Sequence, residues 1–199
     1  MIYPGSVTQA EKPVDNSSSR ELAPGELATL QQFVNTLDSE PGIELLEEPA
    51  DLRRWLTHHE LVAPSTRIGE REFARAIELR EALRAVLRAN NGAPVDSEAV
   101  ATLDAAARAA ELTVRWDESG RAELAPARAG LDGAFGTLLA IAYRARVDGT
   151  WDRLKACPEE SCGWVFYDQS RNRSSTWCSM AVCGNRAKAR AFRERRARR

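Results

Sequence analysis

Cys157, Cys162, Cys178 and Cys183 are the only cysteines among 199 residues, and they fall in the last quarter of the chain as two C-x4-C pairs. Thiolates are soft, strongly donating ligands. Four of them in two close pairs satisfy a tetrahedral Zn2+ and leave no open position for a substrate, so the chemistry expected is structural. Cys157-Pro158 and Cys162-Gly163 bracket a knuckle, and Cys183-Gly184 repeats the logic, because glycine lets backbone N–H groups swing toward metal-bound sulfur. Disulfides, a redox switch and an Fe–S cluster are the alternatives these residues leave open. The chain begins Met1-Ile2-Tyr3-Pro4, with neither a basic n-region nor an apolar h-region, so a reducing cytosol is expected. The cysteine spacing matches neither ferredoxin pattern.

The second pair runs into a basic end. Residues 171–199 hold ten Arg or Lys against the single acid Glu194, a local charge of +9 in a chain of formal net charge -1, so the first 170 residues carry -10. Such asymmetry points to a polyanionic partner, and it also permits the tail to fold back on its own acidic body. A helix starting near Asn185 aligns Arg186, Arg190 and Arg193 at i, i+4, i+7, with Lys188 off that line and Ala187, Ala191 and Phe192 as a narrower apolar side for docking. A helix of this width fits the major groove of double-stranded DNA, where arginine grips phosphate or guanine through two parallel bonds. Arg171 and Arg173 in the preceding polar loop complete the candidate nucleic-acid set. Asn185 has two roles open to it, reading adenine or capping the helix. Arg186 also has two, DNA contact or offsetting the formal -2 charge of a tetrathiolate zinc centre. Arg195-Arg196-Ala197-Arg198-Arg199 is expected to fray.

These groups must be carried by a mainly α framework with a small β-hairpin: a helical N-terminal domain over 25–150 and a four-cysteine, treble-clef-like finger over 151–199. Residues 1–24 are Pro/Ser-rich and too polar to offset the entropy of ordering, and are expected as a disordered lead. Leu27, Leu30, Phe33, Val34 and Leu37 recur at helical spacing from Glu26 toward Pro41, placing Asp38 beside Val34. A short helix over Asp51 to Glu60 carries Leu52, Trp55 and Leu56 with Pro49 in its first turn, and holds the only histidines, His58 and His59. Adjacent helical residues point about 100° apart, so the two histidines read as structural rather than as ligands. The longest helix spans Glu70 to Asn90. Its Arg71, Arg75, Arg80, Arg84 and Arg88 interleave with glutamates and read as a solvated, salt-bridged face. Asp96 or Ser97 caps an Ala-rich helix to about Glu111, Leu112 to Leu124 forms a hairpin, and a last helix runs from near Asp132 to Gly149.

A small-molecule effector pocket between these helices is an expectation for Phe33, Asp38, Trp55 and Trp116. In the cysteine region Trp164 to Tyr167 reads as a strand after the knuckle, and Trp177 leads the chain back in to form the hairpin. No run of eighteen apolar residues is present, so no membrane span is expected. Neither a Ser-His-Asp order nor a glycine-rich phosphate loop appears, so no catalytic residue is assigned.

Cys183-Gly184-Asn185-Arg186, preceded by Ser170-Arg171-Asn172-Arg173 and Trp177-Cys178-Ser179-Met180, resembles the signature of the CGNR zinc finger family. Phe33-Val34-Asn35-Thr36-Leu37-Asp38 resembles the ABATE domain that precedes this finger in stress-induced bacterial transcription regulators. The resemblance implies a cytoplasmic, zinc-containing regulator that binds DNA through the finger, its ligands Cys157, Cys162, Cys178 and Cys183, with the helical domain sensing a ligand or holding the finger inactive. Ser174-Ser175-Thr176 stands where many relatives are more basic. An RNA-binding protein using Trp164, Phe166, Tyr167 and Trp177 as stacking platforms, and a zinc-thiolate redox or metal sensor, are the other readings.

Overall fold

The computed structural model describes residues 21–40 and 42–197. Most of the expected lead lies outside them. Its last four residues, 21–24, are laid against the first helix, where Ala23 is buried and its N–H donates to Gln31 Oε1 at 2.6 Å.

Helix α1 (Leu27–Val34) is shorter than its apolar periodicity suggests. It ends because Asn35 and Thr36 turn inward: Thr36 Oγ1 donates to Phe33 O at 2.9 Å, and the Asn35 amide leaves to bond a distant strand. Leu37 and Asp38 therefore form β1 (Leu37–Asp38), paired antiparallel with β2 (Ile43–Glu44), and Asp38 is buried in that ladder instead of flanking Val34 on a helix. Helix α2 (Pro49–His58) starts on Pro49, whose missing N–H has no intrahelical partner to lose. His59 stacks 4.0 Å from the Trp55 ring and His58 meets His59 edge-on.

Helix α3 (Glu70–Ala89) is the hub, packing against α1, α2 and α4 (Ser97–Ala109). Glu72 Oε2 accepts from Gly69 N at its start, and Asp96 caps α4 by accepting from Glu98 N and Ala99 N. Strands β3 (Leu112–Trp116) and β4 (Ala122–Pro126) form the expected hairpin, with the return strand two residues later than Leu124 suggested. It lies on α5 (Gly130–Val147), where a Cβ at Gly136 would sit 2.7 Å from Ala110 Cβ and 2.8 Å from Pro126 Cβ, so only glycine permits the approach.

The core gathers Leu30, Phe33 and Val34 of α1, Leu52, Trp55 and Leu56 of α2, Leu79, Leu83 and Leu87 of α3, and Phe135, Leu138 and Ile141 of α5. Each such side chain contributes about 1.5–3 kcal/mol on full burial. The same core takes in Leu154, Ala156 and Val165 from the cysteine region, so the first hairpin of the finger is seated in the helical body. Beyond a short 3-10 turn, β5 (Leu154–Ala156) pairs antiparallel with β6 (Val165–Tyr167), and the chain ends in α6 (Asn185–Ala197). The partner of Val165–Tyr167 is thus the segment before the first cysteine pair. Trp177 does not supply it, and the knuckle is the turn of the hairpin. Among the described residues no helix is long and apolar enough to cross a membrane.

The α3 arginines correct the expectation of a solvated face. Arg75 does pair at the surface, with Asp132 at 2.6 Å. Arg80 and Arg84, however, are only 2% and 3% exposed. Arg80 Nη1 binds Glu44 Oε1 at 2.8 Å and Thr36 Oγ1 at 3.2 Å. Arg84 Nη2 donates to Val34 O at 2.6 Å, satisfying one of the carbonyls orphaned by the end of α1, and Nη1 donates to Gly163 O at 2.7 Å.

Candidate metal centre and nucleic-acid interface

The β5–β6 ladder brings the first cysteine pair together. Cys157 N donates to Trp164 O at 2.9 Å, Cys162 N to Glu159 O at 2.9 Å and Gly163 N to Glu159 O at 3.1 Å, closing the knuckle. Gly163 adopts φ +58°, the left-handed region where a side chain is strained. The second pair is set by Ser179, whose Oγ accepts from Val182 N and whose carbonyl accepts from Gly184 N, closing a single π turn over Met180–Gly184 that leads into α6. A Cβ at Gly184 would meet Met180 Sδ at 2.5 Å, so a larger residue there would displace the end of the Met180 side chain.

All four sulfurs lie within 4.8 Å of one another. Cys162 and Cys178 Sγ are 3.5 Å apart, and Cys178 and Cys183 Sγ 3.6 Å. A tetrahedron with Zn–S bonds near 2.3 Å has edges of about 3.8 Å, so the donor set fits a zinc ion in size as well as in chemistry. Four unbonded thiols at this spacing cannot all ionise unaided. Hydrogen bonds from Cys162 and then Cys178 hold the Cys157 thiol far below its ordinary value, whereas the same contact with Cys157 pushes Cys162 up to about 12. Cys178 is pushed up by Cys157 and Cys162, and Cys183 by burial. A divalent cation at the centre is what permits four thiolates. Trp164 and Phe166 are buried around the sulfurs with Trp177 packed beside them, and Tyr167 packs against the main core. The buried faces of Trp164 and Phe166 cannot stack on an RNA base, and Tyr167 and Trp177 are half-buried.

Side chains of the helical body clamp the first knuckle. The Asn35 amide pairs twice with Val165, donating to its O and accepting from its N, both at 2.8 Å. Gln31 Nε2 adds a bond to the same carbonyl at 3.2 Å, and Asn90 Nδ2 reaches Trp151 O and Leu154 O at 3.0 and 2.9 Å. Asn91 Nδ2 spans both halves of the finger, to Ala156 O at 3.0 Å and Thr176 O at 2.7 Å. Arg84 supplies the bond to Gly163 O already described, and burial lowers its pKa despite the opposing pull of Glu81. The loop carrying Arg171 and Arg173 is built on a buried pair: Lys155 Nζ meets Asp168 Oδ2 at 2.7 Å and donates to Arg173 O at 2.7 Å and Ser175 O at 3.1 Å. Burial would push the Asp168 carboxyl up, but bonds from Lys155, Ser170 and Ser175 outweigh it and hold it well below the usual carboxylate range. Asn35 had one signal in the sequence, a polar residue inside an apolar helical stripe. Lys155, Asp168, Asn91 and Arg84 had none, because their partners are distant in the chain.

The candidate nucleic-acid residues divide. Arg171, Arg173, Lys188 and Arg193 are exposed and make no ion pair among the described residues. Arg186 and Arg190 are exposed too but paired, Arg186 with Glu40 of the helical body at 2.5 Å and Arg190 with Glu159 of the first cysteine knuckle at 2.9 Å, and Ala187 and Ala191 beside them are half-buried. Asn185 Nδ2 donates back to Ala181 O at 3.0 Å, a local structural bond. The helix expected to fray at Arg195 continues to Ala197, and Arg198 and Arg199 lie outside the described residues. The four pocket candidates do not converge. Phe33 and Trp55 pack on each other in the core with ring centroids 5.3 Å apart, Asp38 is buried in β1, and Trp116 is 71% exposed on β3.

A knuckle, a second cysteine pair at the head of a basic helix and a helical body gripping both define a four-cysteine finger docked on a helical domain. The chain belongs to the ABATE family, described as a putative stress-induced transcription regulator, whose model matches residues 27–159; the CGNR zinc finger matches residues 153–196. The two matches overlap across β5 and the first cysteine, where the helical core and the finger share residues. That description is of a regulator and not of an enzyme. No curated protein matches the chain.

Proposed function

We propose that this protein is a zinc-dependent transcription regulator that binds double-stranded DNA through its C-terminal finger. Cys157, Cys162, Cys178 and Cys183 hold one Zn2+, whose role is to fix structure and not to activate a substrate. A thiolate centre of this kind belongs in a reducing cytoplasm. The observation that carries the DNA assignment is α6 itself. It is a thirteen-residue helix with no buried residue, bearing Arg186, Lys188, Arg190, Arg193, Arg195 and Arg196 against the single acid Glu194. A strongly basic helix with no buried residue gains little from packing, and its charge calls for an outside polyanion. Lys188 and Arg193, with Arg171 and Arg173 from the adjoining loop, take phosphate directly. Arg186 becomes available only in exchange for Glu40, which gives the helical domain, residues 25–150, an autoinhibitory hold on the finger, residues 151–199, while Arg190 is held by Glu159 of the finger itself. A small-molecule effector would act on that hold from the helical domain.

The test uses the full-length protein: metal analysis, then duplex binding by fluorescence anisotropy over a salt series, before and after chelation. One zinc per chain is expected, with a log–log salt slope of about -5 if six side chains neutralise phosphates. Binding is lost on chelation, and duplex DNA outcompetes structured RNA. Metal-free protein, no binding at low salt, or preference for RNA would each overturn the proposal.

A further inference from the structure

The four sulfurs are not equivalent. Cys157 and Cys162 have no exposed surface and Cys183 only 1%, whereas Cys178 is half-buried. A cleft of about 610 Å³ between the body and the finger reaches Cys178 and Cys183, walled by Glu40, Tyr167, Trp177, Ser179 and Val182. Anchorage is unequal in the same sense. The knuckle bearing Cys157 and Cys162 is seated in the main core and bonded by Asn35, Arg84 and Asn91. The arm bearing Cys178, Cys183 and α6 lies outside that core: it packs with Trp177 on the small cluster of Trp164 and Phe166 around the sulfurs, and is held by bonds from Asn91 to Thr176 O, Lys155 to Ser175 O and Ser175 N to Asp168, and by the two ion pairs of Arg186 and Arg190 at its surface. The arm therefore depends on the metal far more than the knuckle does.

We infer that Cys178 is an oxidation site, reached by small hydroperoxides through this cleft, and that its oxidation frees the α6 arm while the knuckle stays on the body. The inference rests on the zinc-site reading. The Cys178 thiolate attacks the terminal oxygen of the hydroperoxide, and the O–O bond breaks. Sulfur keeps the hydroxyl as a sulfenic acid, and the departing oxygen takes a proton and leaves as water or an alcohol. A neighbouring thiolate, Cys162 at 3.5 Å or Cys183 at 3.6 Å, then attacks the sulfenic sulfur. A disulfide forms, and the hydroxide released takes a proton and leaves as water. Two electrons have passed from the sulfur pair to the peroxide, and two of the four donors are withdrawn from the metal. A thiol reductant reverses the disulfide.

The experiment treats zinc-loaded, full-length protein with hydrogen peroxide. It follows zinc release with a chromophoric chelator, locates the first sulfenic acid by trapping and peptide mass spectrometry, and maps hydrogen exchange. Expected are first trapping at Cys178, loss of the bound zinc, and loss of exchange protection over 177–197 while 154–167 stays protected. Val182→Trp, which narrows the cleft without touching a sulfur, slows zinc release several-fold. First trapping at Cys157 or Cys162, zinc retained at peroxide levels that oxidise free cysteine, equal loss of protection in knuckle and arm, or an unslowed Val182→Trp would overturn the inference. Protein that contains no zinc before treatment would instead defeat the metal-centre reading itself.

Discussion

Replacing Arg84 by methionine removes the one side chain that joins α1, α3 and the first cysteine knuckle. The guanidinium satisfies Val34 O at 2.6 Å and Gly163 O at 2.7 Å, in a place where only 3% of the residue is exposed. Each buried carbonyl left without a donor costs about 1–3 kcal/mol, so the pair costs roughly 2–6 kcal/mol. Removing a desolvated cation offsets part of this, and methionine fills much of the volume, leaving a net loss of about 3 kcal/mol. That is a large share of the roughly 5–15 kcal/mol by which a fold is stable. For a chain of this length it corresponds to a melting temperature lower by roughly 6–12 °C. The assay is thermal melting of the zinc-loaded protein beside the rate of zinc transfer to a chelator. Arg84→Met should lower the melting point and speed the transfer, Arg84→Lys should do so to a smaller extent, and exposed Arg71→Met should do neither. If Arg84→Met melts and keeps its metal as Arg71→Met does, the body does not position the knuckle and the reasoning fails.

The Asp168 carboxyl is held below its unfolded value of about 3.9, so its contribution is present above that pH and is lost as the pH falls through the folded value. Asp168→Asn should remove about 3 kcal/mol at neutral pH and make the melting point less sensitive to acid below about pH 4 than in the wild type, read by melts across a pH series. Glu40→Gln frees Arg186 from a solvent-screened pair, so duplex affinity should rise by a few-fold at most at low salt and the gain should vanish at high salt. Unchanged or weaker binding counts against autoinhibition by this contact. Gly163→Ala forces a Cβ into φ +58° without a serious steric contact, and should cost about 1–2 kcal/mol in denaturant melts while the four sulfurs still bind zinc.

Most of the helical framework was legible because it is local. Leu52, Trp55 and Leu56 mark α2 by their spacing, Asp96 marks the start of α4, and α3 ends within a residue of the expected Asn90. The hairpin of the finger was misplaced because Leu154–Ala156 is too short a run to show a period, and only its pairing with Val165–Tyr167 identifies it. The aromatics Phe33, Trp55 and Trp116 could not be sorted into core and surface by type. Burial depends on what packs against each, and Trp116 lies on a hairpin end that none of the described residues covers.

The sequence by itself determined the donor set, since four thiolates in two close pairs define their chemistry wherever the chain carries them, and it determined the +9 charge that follows. It also determined which stretches are helices, through periodicity and capping within a few residues. Tertiary structure alone decided which arginines serve the fold and which face outward. Arg80 and Arg84 look like a salt-bridged surface beside Glu81, yet they are drawn inside by Glu44, by the orphaned carbonyl at the end of α1 and by Gly163, the last of these 79 residues away. Arg186 and Arg190 look like a free DNA-reading line, yet at the surface each is paired with an acid, Glu40 and Glu159. A guanidinium bonds whichever acceptor the folded chain presents, and pairings over such separations leave no periodicity to read.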